Sequence, residues 1–152
     1  MIATIPYIEA KFDEFNKLIF GGELPRIPIA LGSATRVVGS FSCKVRRNFW
    51  GKKEYSDLKL RFSKKFDLPE NELEDVIIHE MIHYYIHFKN LKDKSAHGPL
   101  FKNLMNQINK NFGRKISIRY RGSSALRIHY IDHSTLQPQL QVANKLSLKD
   151  IL

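Results

Sequence analysis

The chain has 152 residues, 43% of them hydrophobic and 26% charged, a composition typical of one soluble globular domain. Its apolar runs are too short to cross a membrane, and residues 1–6 lack the basic and apolar regions of a signal peptide, so we expect a cytoplasmic protein. The single cysteine, Cys43, excludes an intramolecular disulfide and a four-cysteine zinc ribbon within this chain. The formal net charge of +10 favours a polyanion partner such as nucleic acid over a merely solubilised surface.

The first half of the chain predicts a helix followed by a small sheet. Apolar residues recur at three- and four-residue steps over residues 6–20, which predicts a helix, and Gly21 and Gly22 end it. Residues 27–31, 37–41 and 57–62 are predicted strands, the last because apolar and polar residues alternate.

A basic stretch at residues 44–53 lies between the predicted strands and is predicted to form a loop or hairpin. Its six candidate nucleic-acid contacts are Arg46, Arg47, Phe49, Trp50, Lys52 and Lys53. Bases, in particular of single-stranded DNA, could stack on the two rings while the cations contact phosphates. The alternative is that Phe49 and Trp50 are core or turn residues. A second basic set consists of Arg114, Lys115, Arg119, Arg121 and Arg127.

The second predicted helix contains the motif His79-Glu80-Met81-Ile82-His83. It is predicted to start at residues 67–70, with Asp67 capping it, and to run to about Phe88. Residues four apart project from one face of a helix, so the imidazoles of His79 and His83 can share one metal ion. A carboxylate beside two nitrogen ligands is what a zinc hydrolase needs to activate water, which makes Glu80 the candidate general base.

A chance motif on a surface helix is the alternative to this metal site. The apolar residues around the motif indicate instead a buried helix, where unpaired His and Glu would be costly. His97 is a candidate third ligand. His87 is a poorer one, because the helix rotates it about 80° away from His79.

The last part of the chain predicts a helix over residues 99–112, ended by Gly113. Residues 115–120 and 125–130 alternate apolar and polar and predict a β-hairpin. We place no domain boundary: one domain spans residues 1–152, with a core over about residues 6–113 and a hairpin and tail over residues 114–152.

Three motifs together resemble the SprT-like family of Spartan-type zinc metalloproteases. They are Phe15-Asn16 with Phe20-Gly21-Gly22-Glu23-Leu24-Pro25, then the motif at residues 79–83, then His97-Gly98-Pro99-Leu100-Phe101. Their order and spacing agree with the family over residues 12–112. Many members also carry a C-terminal zinc ribbon of paired cysteines, which this chain lacks.

The resemblance implies an α+β, zincin-like fold, in which the motif helix and two further helices pack on a small, mainly antiparallel sheet. It implies zinc bound by His79, His83 and His97, with Glu80 activating a zinc-bound water to hydrolyse peptide bonds of a protein or peptide. In Spartan the cleavage is DNA-dependent and includes proteins crosslinked to DNA. The rival hypothesis is a non-catalytic, zinc-containing module that binds DNA or protein. A zinc hydrolase of non-peptide amides also stays open.

The amino-acid sequence leaves open which residues support the metal centre. A carboxylate often orients a zinc-binding histidine, and Glu74, Asp75 and Asp93 are candidates. A residue that stabilises the oxyanion could be an arginine or one of four tyrosines: Tyr84, Tyr85, Tyr120 and Tyr130.

Overall fold

The computed structural model describes residues 1–119. The elements of this part of the chain, in order, are α1 (Ile5–Leu18), β1 (Ile29–Gly32), β2 (Gly39–Arg47), β3 (Lys53–Ser63), α2 (Glu70–Phe88) and α3 (Pro99–Phe112). Three helices and one small sheet confirm the predicted α+β class.

The sheet is mixed, with strand order β1-β3-β2. The longer pair, β2 and β3, is antiparallel, with Phe41 opposite Leu60. β1 runs parallel to β3 on its other side, with Ile29 also opposite Leu60. Within the described residues, β2 is therefore an edge strand.

The β2–β3 hairpin is longer than predicted and contains a bulge. Ser42 lies opposite Lys59 and Lys44 opposite Ser56, so β3 has one residue more than β2 in this interval. Asp57, with a φ of 52°, accommodates this extra residue. Its carboxylate lies 2.9 Å from the amino group of Lys44. Beyond the bulge, the basic stretch forms a two-stranded ribbon, which is the hairpin alternative of the sequence prediction.

Helix α2 runs through the middle of the core. Its residues Val76, Ile77, Ile78, Met81 and Ile82 are all fully buried. A helix that is apolar on most of its circumference must be covered on several sides. The covering residues come from α1 (Ile8, Phe12, Phe15), from the sheet (Leu60, Phe62) and from α3 (Phe101, Leu104, Ile108).

The helix boundaries agree with the sequence predictions to within two residues, but the cap of α2 differs. Helix α3 spans the predicted residues and ends at Gly113, which has a left-handed φ of 62°. Helix α2 begins after Pro69 with no side-chain cap among the described residues. The predicted capping role of Asp67 is wrong, because this carboxylate pairs with the amino group of Met1.

The predicted C-terminal hairpin lies mostly outside the described residues. Its first residues, 115–119, form neither helix nor strand. Among the described helices, none has both the length and the apolar character that crossing a bilayer requires.

Candidate metal centre

Three histidines converge between α2 and the loop that leads to α3. His79 and His83 project from neighbouring turns of α2, and His97 comes from the loop. The Nε2 atom of His97 lies 3.1 Å from the Nε2 atom of His79 and 3.1 Å from that of His83. One ligand atom from each residue lies within 4.8 Å of the other two.

The three histidines fit a zinc ion. Tetrahedral zinc with Zn–N bonds of about 2.0–2.1 Å places its nitrogen ligands roughly 3.3 Å apart. Burial, aided by the neighbouring histidines, lowers the pKa of His79 to about 3 and that of His83 to about 4. Both rings are therefore neutral near pH 7, the form in which imidazole binds a metal.

His79 is oriented by a backbone carbonyl. Its Nδ1 atom lies 2.8 Å from the carbonyl oxygen of Ser117. Because a carbonyl only accepts hydrogen bonds, Nδ1 donates, and the lone pair of Nε2 faces His97. Sequence analysis missed this partner, because a backbone carbonyl has no residue-type signature.

Phe101 packs against all three imidazoles. Its ring centroid lies 4.9 Å from that of His79, 4.5 Å from that of His83 and 4.8 Å from that of His97. The Phe101 side chain is fully buried. It forms an apolar floor that keeps the three rings close together.

Asp93 shapes the loop that carries His97. Its carboxylate accepts hydrogen bonds from the backbone N–H groups of Phe101 (2.8 Å) and Leu100 (3.3 Å), so it caps α3. Gly98 makes this possible, because a Cβ atom there would collide with the Asp93 carboxylate. Asp93 thus acts on the loop and α3 rather than on a histidine ring, and Glu74 and Asp75 bind Arg114.

Glu80 is buried beside the three histidines. Its side chain lies 4.0 Å from the Nε2 atom of His79. Burial raises the pKa of Glu80 to about 8, and a hydrogen bond from the Phe41 backbone partly opposes this rise. The edge strand β2 therefore contacts the carboxyl group directly, a role of Phe41 that sequence analysis did not identify.

The site opens into a cleft of about 660 Å³. Its walls combine the three histidines and Glu80 with the edge strand and the chain after α3: Val37, Gly39, Ser40, Phe41, His79, Glu80, His83, Ala96, His97, Ile118 and Arg119. Two of the four candidate tyrosines lie elsewhere, since Tyr84 donates to the carbonyl of Pro25 (2.8 Å) and Tyr85 is in the core. Tyr120 and Tyr130 lie outside the described residues, which leaves Arg119 as the described cation at the cleft.

His87 lies apart from the other histidines of α2. Its ring packs against Tyr55 (4.6 Å between centroids) and Phe41 (5.6 Å). It is thus placed against the sheet, in agreement with its low rank as a ligand candidate.

The tip of the β2–β3 hairpin displays the two candidate base-stacking residues. Phe49 is 93% exposed and Trp50 85% exposed, so they are turn residues and the core alternative is wrong. The side chain of Asn48 fixes the turn by accepting hydrogen bonds from the backbone N–H groups of Trp50 and Lys52, both at 3.0 Å. The two rings therefore stand in solvent on an ordered turn.

The two basic sets have different environments. Arg46, Arg47, Lys52 and Lys53 are all exposed near the hairpin tip. Arg114, from the second set, forms ion pairs with Asp75 (2.7 Å) and Glu74 (3.0 Å). Arg121 and Arg127 lie outside the described residues.

Comparison with known proteins identifies relatives of this chain. It is 29% identical to the DNA-dependent metalloprotease SPRTN of Rattus norvegicus over 78% of its length, and 33% identical to that of Xenopus tropicalis over 74%. It is 29% identical to the DNA-dependent metalloprotease dvc-1 of Caenorhabditis elegans over 82%. The chain spans 23%, 25% and 33% of these three relatives, respectively. Residues 8–121, which include the sheet and all three histidines, match the model of the SprT-like family, and the chain belongs to that family.

Proposed function

We propose that the chain is a zinc-dependent metallopeptidase domain in which Glu80 is the general base. The observation that carries this proposal is the convergence of three histidine nitrogens beside a buried carboxyl group at an open cleft. A structural zinc site is usually closed by four protein ligands, whereas a catalytic site keeps one position open. The metalloprotease relatives support the same reading.

In this mechanism the three histidines hold the zinc ion and Glu80 transfers the proton. When bound, zinc supplies Lewis acidity and positive charge, which lower the pKa of a water molecule and of the Glu80 carboxyl group. Ionised Glu80 accepts a proton from that water and donates it to the leaving amine. The Phe41 backbone hydrogen bond holds the carboxylate in place, and Phe101 supports the three ligand rings.

The edge strand favours a peptide substrate over a small amide. Gly39, Ser40 and Phe41 of β2 line the cleft. An edge strand has unpaired backbone groups with which an extended peptide can form hydrogen bonds. The cleft volume also suits a short stretch of polypeptide.

Peptide cleavage with and without DNA tests this function. The zinc-loaded protein is incubated with a basic DNA-binding protein, with and without single-stranded DNA, beside Glu80→Gln. We expect cleavage by the wild type that increases with DNA, and none by Glu80→Gln, which retains zinc because it keeps all three ligands. Cleavage by Glu80→Gln would contradict the mechanism. Bound zinc and DNA without cleavage by the wild type would favour a non-catalytic binding module.

The hairpin tip is the proposed nucleic-acid contact, with single-stranded DNA as its ligand. Residues 44–56 contain five lysines and arginines but a single glutamate, and two exposed rings stand among them. Stacking on aromatic rings combined with phosphate contacts is how proteins bind single strands. The names of the relatives, DNA-dependent metalloproteases, add support.

Charge reversal tests this contact against a matched control. Lys52→Glu/Lys53→Glu changes the hairpin, and Lys64→Glu/Lys65→Glu makes the same change in net charge at another exposed lysine pair. We expect the first variant to lose affinity for single-stranded DNA and to reduce the salt slope by about 0.7 for each lost phosphate contact. Equal losses in both variants would mean that DNA affinity depends on the overall charge of the protein and not on this hairpin.

A further inference from the structure

The chain beyond α3 returns to α2 and ends its described path at the metal centre. Gly113 ends α3 in a left-handed conformation. The next four residues contact both α2 and α3 through Arg114, Ile116 and Ser117. We call residues 114–117 the strap. Its last residue, Ser117, provides the carbonyl that contacts His79.

Arg114 attaches the beginning of the strap to the first turns of α2. Its guanidinium donates to the carboxylates of Asp75 (2.7 Å) and Glu74 (3.0 Å) and to the carbonyl of Asn71 (3.2 Å). Asp75 is buried, so this contact supplies charge that the carboxylate needs there. Three donors in a rigid fork fix the direction in which the strap leaves α3.

Asn109 fixes the middle of the strap from α3. Its side-chain oxygen accepts from the N–H of Ile116 (2.8 Å), and its side-chain nitrogen donates to the carbonyl of Ile116 (3.0 Å). The side chain of Ile116 is buried in the core. Both backbone polar groups and the side chain of this residue are therefore held, one residue before Ser117.

The end of the strap reaches both the ligand and the cleft. The carbonyl of Ser117 lies 2.8 Å from Nδ1 of His79, and Ile118 and Arg119, which follow, line the cleft. The Ser117 hydroxyl accepts from the N–H of Arg119 (3.1 Å), which shapes this short turn. A displacement of the strap by about 1 Å would break a contact of normal hydrogen-bond length.

We infer that Asn109 and Arg114 are positioning residues of the metal centre, which act through the strap to keep the proton of His79 on Nδ1 and its Nε2 lone pair directed at the metal. This inference rests on the metal centre of the proposed function. Neither residue contacts a histidine ring; their effect passes through the Ser117 carbonyl. Partners that orient metal ligands in this way change metal affinity by about 10- to 100-fold when they are lost.

Asn109→Ala provides the test, with Asn106→Ala as its control. Asn106 is an exposed asparagine on the same helix, so both variants make the same chemical change in α3. Zinc affinity is measured by competition with a chromophoric chelator, and the His79 tautomer by ¹⁵N NMR of the metal-free protein. We expect zinc affinity to fall by about 10- to 100-fold and the Nδ1–H signature of His79 to weaken in Asn109→Ala alone.

Wild-type zinc affinity in folded Asn109→Ala would overturn the inference, and so would an equal loss in both variants. If Asn109→Ala fails to fold, Asn109→Asp keeps the acceptor for the N–H of Ile116 while removing the donor to its carbonyl. The zinc affinity and the His79 tautomer of Asn109→Asp are then compared with those of the wild type and of Asn106→Ala, and the same two results would overturn the inference. A metal-free wild type with the His79 proton on Nε2 overturns the inference without any variant.

These readouts separate the strap from the peptidase proposal. Zinc binding that depends on Asn109, in a protein that cleaves no peptide, would contradict the peptidase function and support the strap. A wild type that binds no zinc would contradict the proposed function, and the His79 tautomer would still decide whether the strap orients that ring.

Discussion

The backbone of Gly39 lies directly against the side chain of Glu80. A Cβ atom at position 39 would come within 3.0 Å of the Glu80 Cγ atom and within 3.0 Å of Val76. The edge strand and the motif helix therefore meet so closely that any larger residue at position 39 requires its neighbours to shift. This close approach also places the Phe41 backbone within reach of the carboxyl group.

Gly39→Ala is expected to impair hydrolysis while the three metal ligands stay in place. The added methyl group requires β2 or Glu80 to shift by a few tenths of an ångström. Because a displacement of 1 Å can cost about 100-fold in rate, we expect a smaller but measurable loss. Steady-state kinetics and zinc content are measured together. Gly32→Ala is the control, because a methyl group there meets only the flexible side chain of Arg61, at 3.3 Å. A similar loss of rate in both variants would show that the effect is not specific to the Glu80 contact.

Asp93→Ala is expected to weaken both the fold and the metal site. Removing a helix-capping side chain costs about 0.5–2 kcal/mol of stability. The loop that carries His97 would lose the same anchor, so zinc affinity should fall as well. Chemical unfolding and chelator competition measure the two effects, with the exposed neighbour Lys94→Ala as control. Unchanged zinc affinity in Asp93→Ala would show that this cap does not determine the position of His97.

The stability of the metal-free protein should decrease between pH 7 and pH 8. Burial raises the pKa of Glu80 to about 8 in the folded state, whereas an unfolded glutamate has a pKa of about 4.3. The folded state therefore binds a proton that the unfolded state has lost, and stability falls as rising pH removes it, by up to about 1 kcal/mol over this unit. Urea unfolding in the presence of a chelator measures the slope of the free energy of unfolding against pH. Glu80→Gln should lack this contribution, and an equal slope in both proteins would contradict the assignment.

Phe49→Ala and Trp50→Ala are expected to leave stability unchanged and to weaken binding of single-stranded DNA. Both rings are exposed, so their removal creates no cavity. Loss of one base-stacking ring costs about 1–3 kcal/mol of binding free energy. Fluorescence anisotropy with a labelled oligonucleotide measures this loss. Phe49→Tyr and Trp50→Phe keep a ring and should keep most of the affinity; DNA binding indifferent to all four changes would remove the hairpin tip from the interface.

Local patterns were sufficient to predict most of the described fold. The apolar periodicity of α1 and α3 identifies both helices, and Gly113 ends α3 as predicted. The spacing of His79 and His83 is a property of any helix, so their shared face followed from the motif. The capping role of Asp67 at the start of α2 was wrong because its carboxylate pairs with the amino group of Met1, which is distant in sequence.

The supporting residues of the site depend on tertiary contacts and could not be read from local patterns. Ser117 and Phe41 act through backbone atoms, which every residue has. Gly39 matters because two elements distant in sequence approach each other there. Arg114 resembled a surface cation in a basic segment, and its pairing with Asp75 appears only when the chain after α3 returns to α2.

The bulge at Asp57 divides β2 and β3 into two parts, of which only the outermost residues have no contact with α2. The part before the bulge, around Phe41, is packed on α2 beside Glu80, and the part beyond it ends in a turn that satisfies its own hydrogen bonds through Asn48. Residues 46–54, which lie beyond the contact between Tyr55 and His87, can therefore serve as a replaceable cassette. Hairpin tips of other composition could be grafted there to redirect what the domain recognises, while the strand segment beside Glu80 keeps its register.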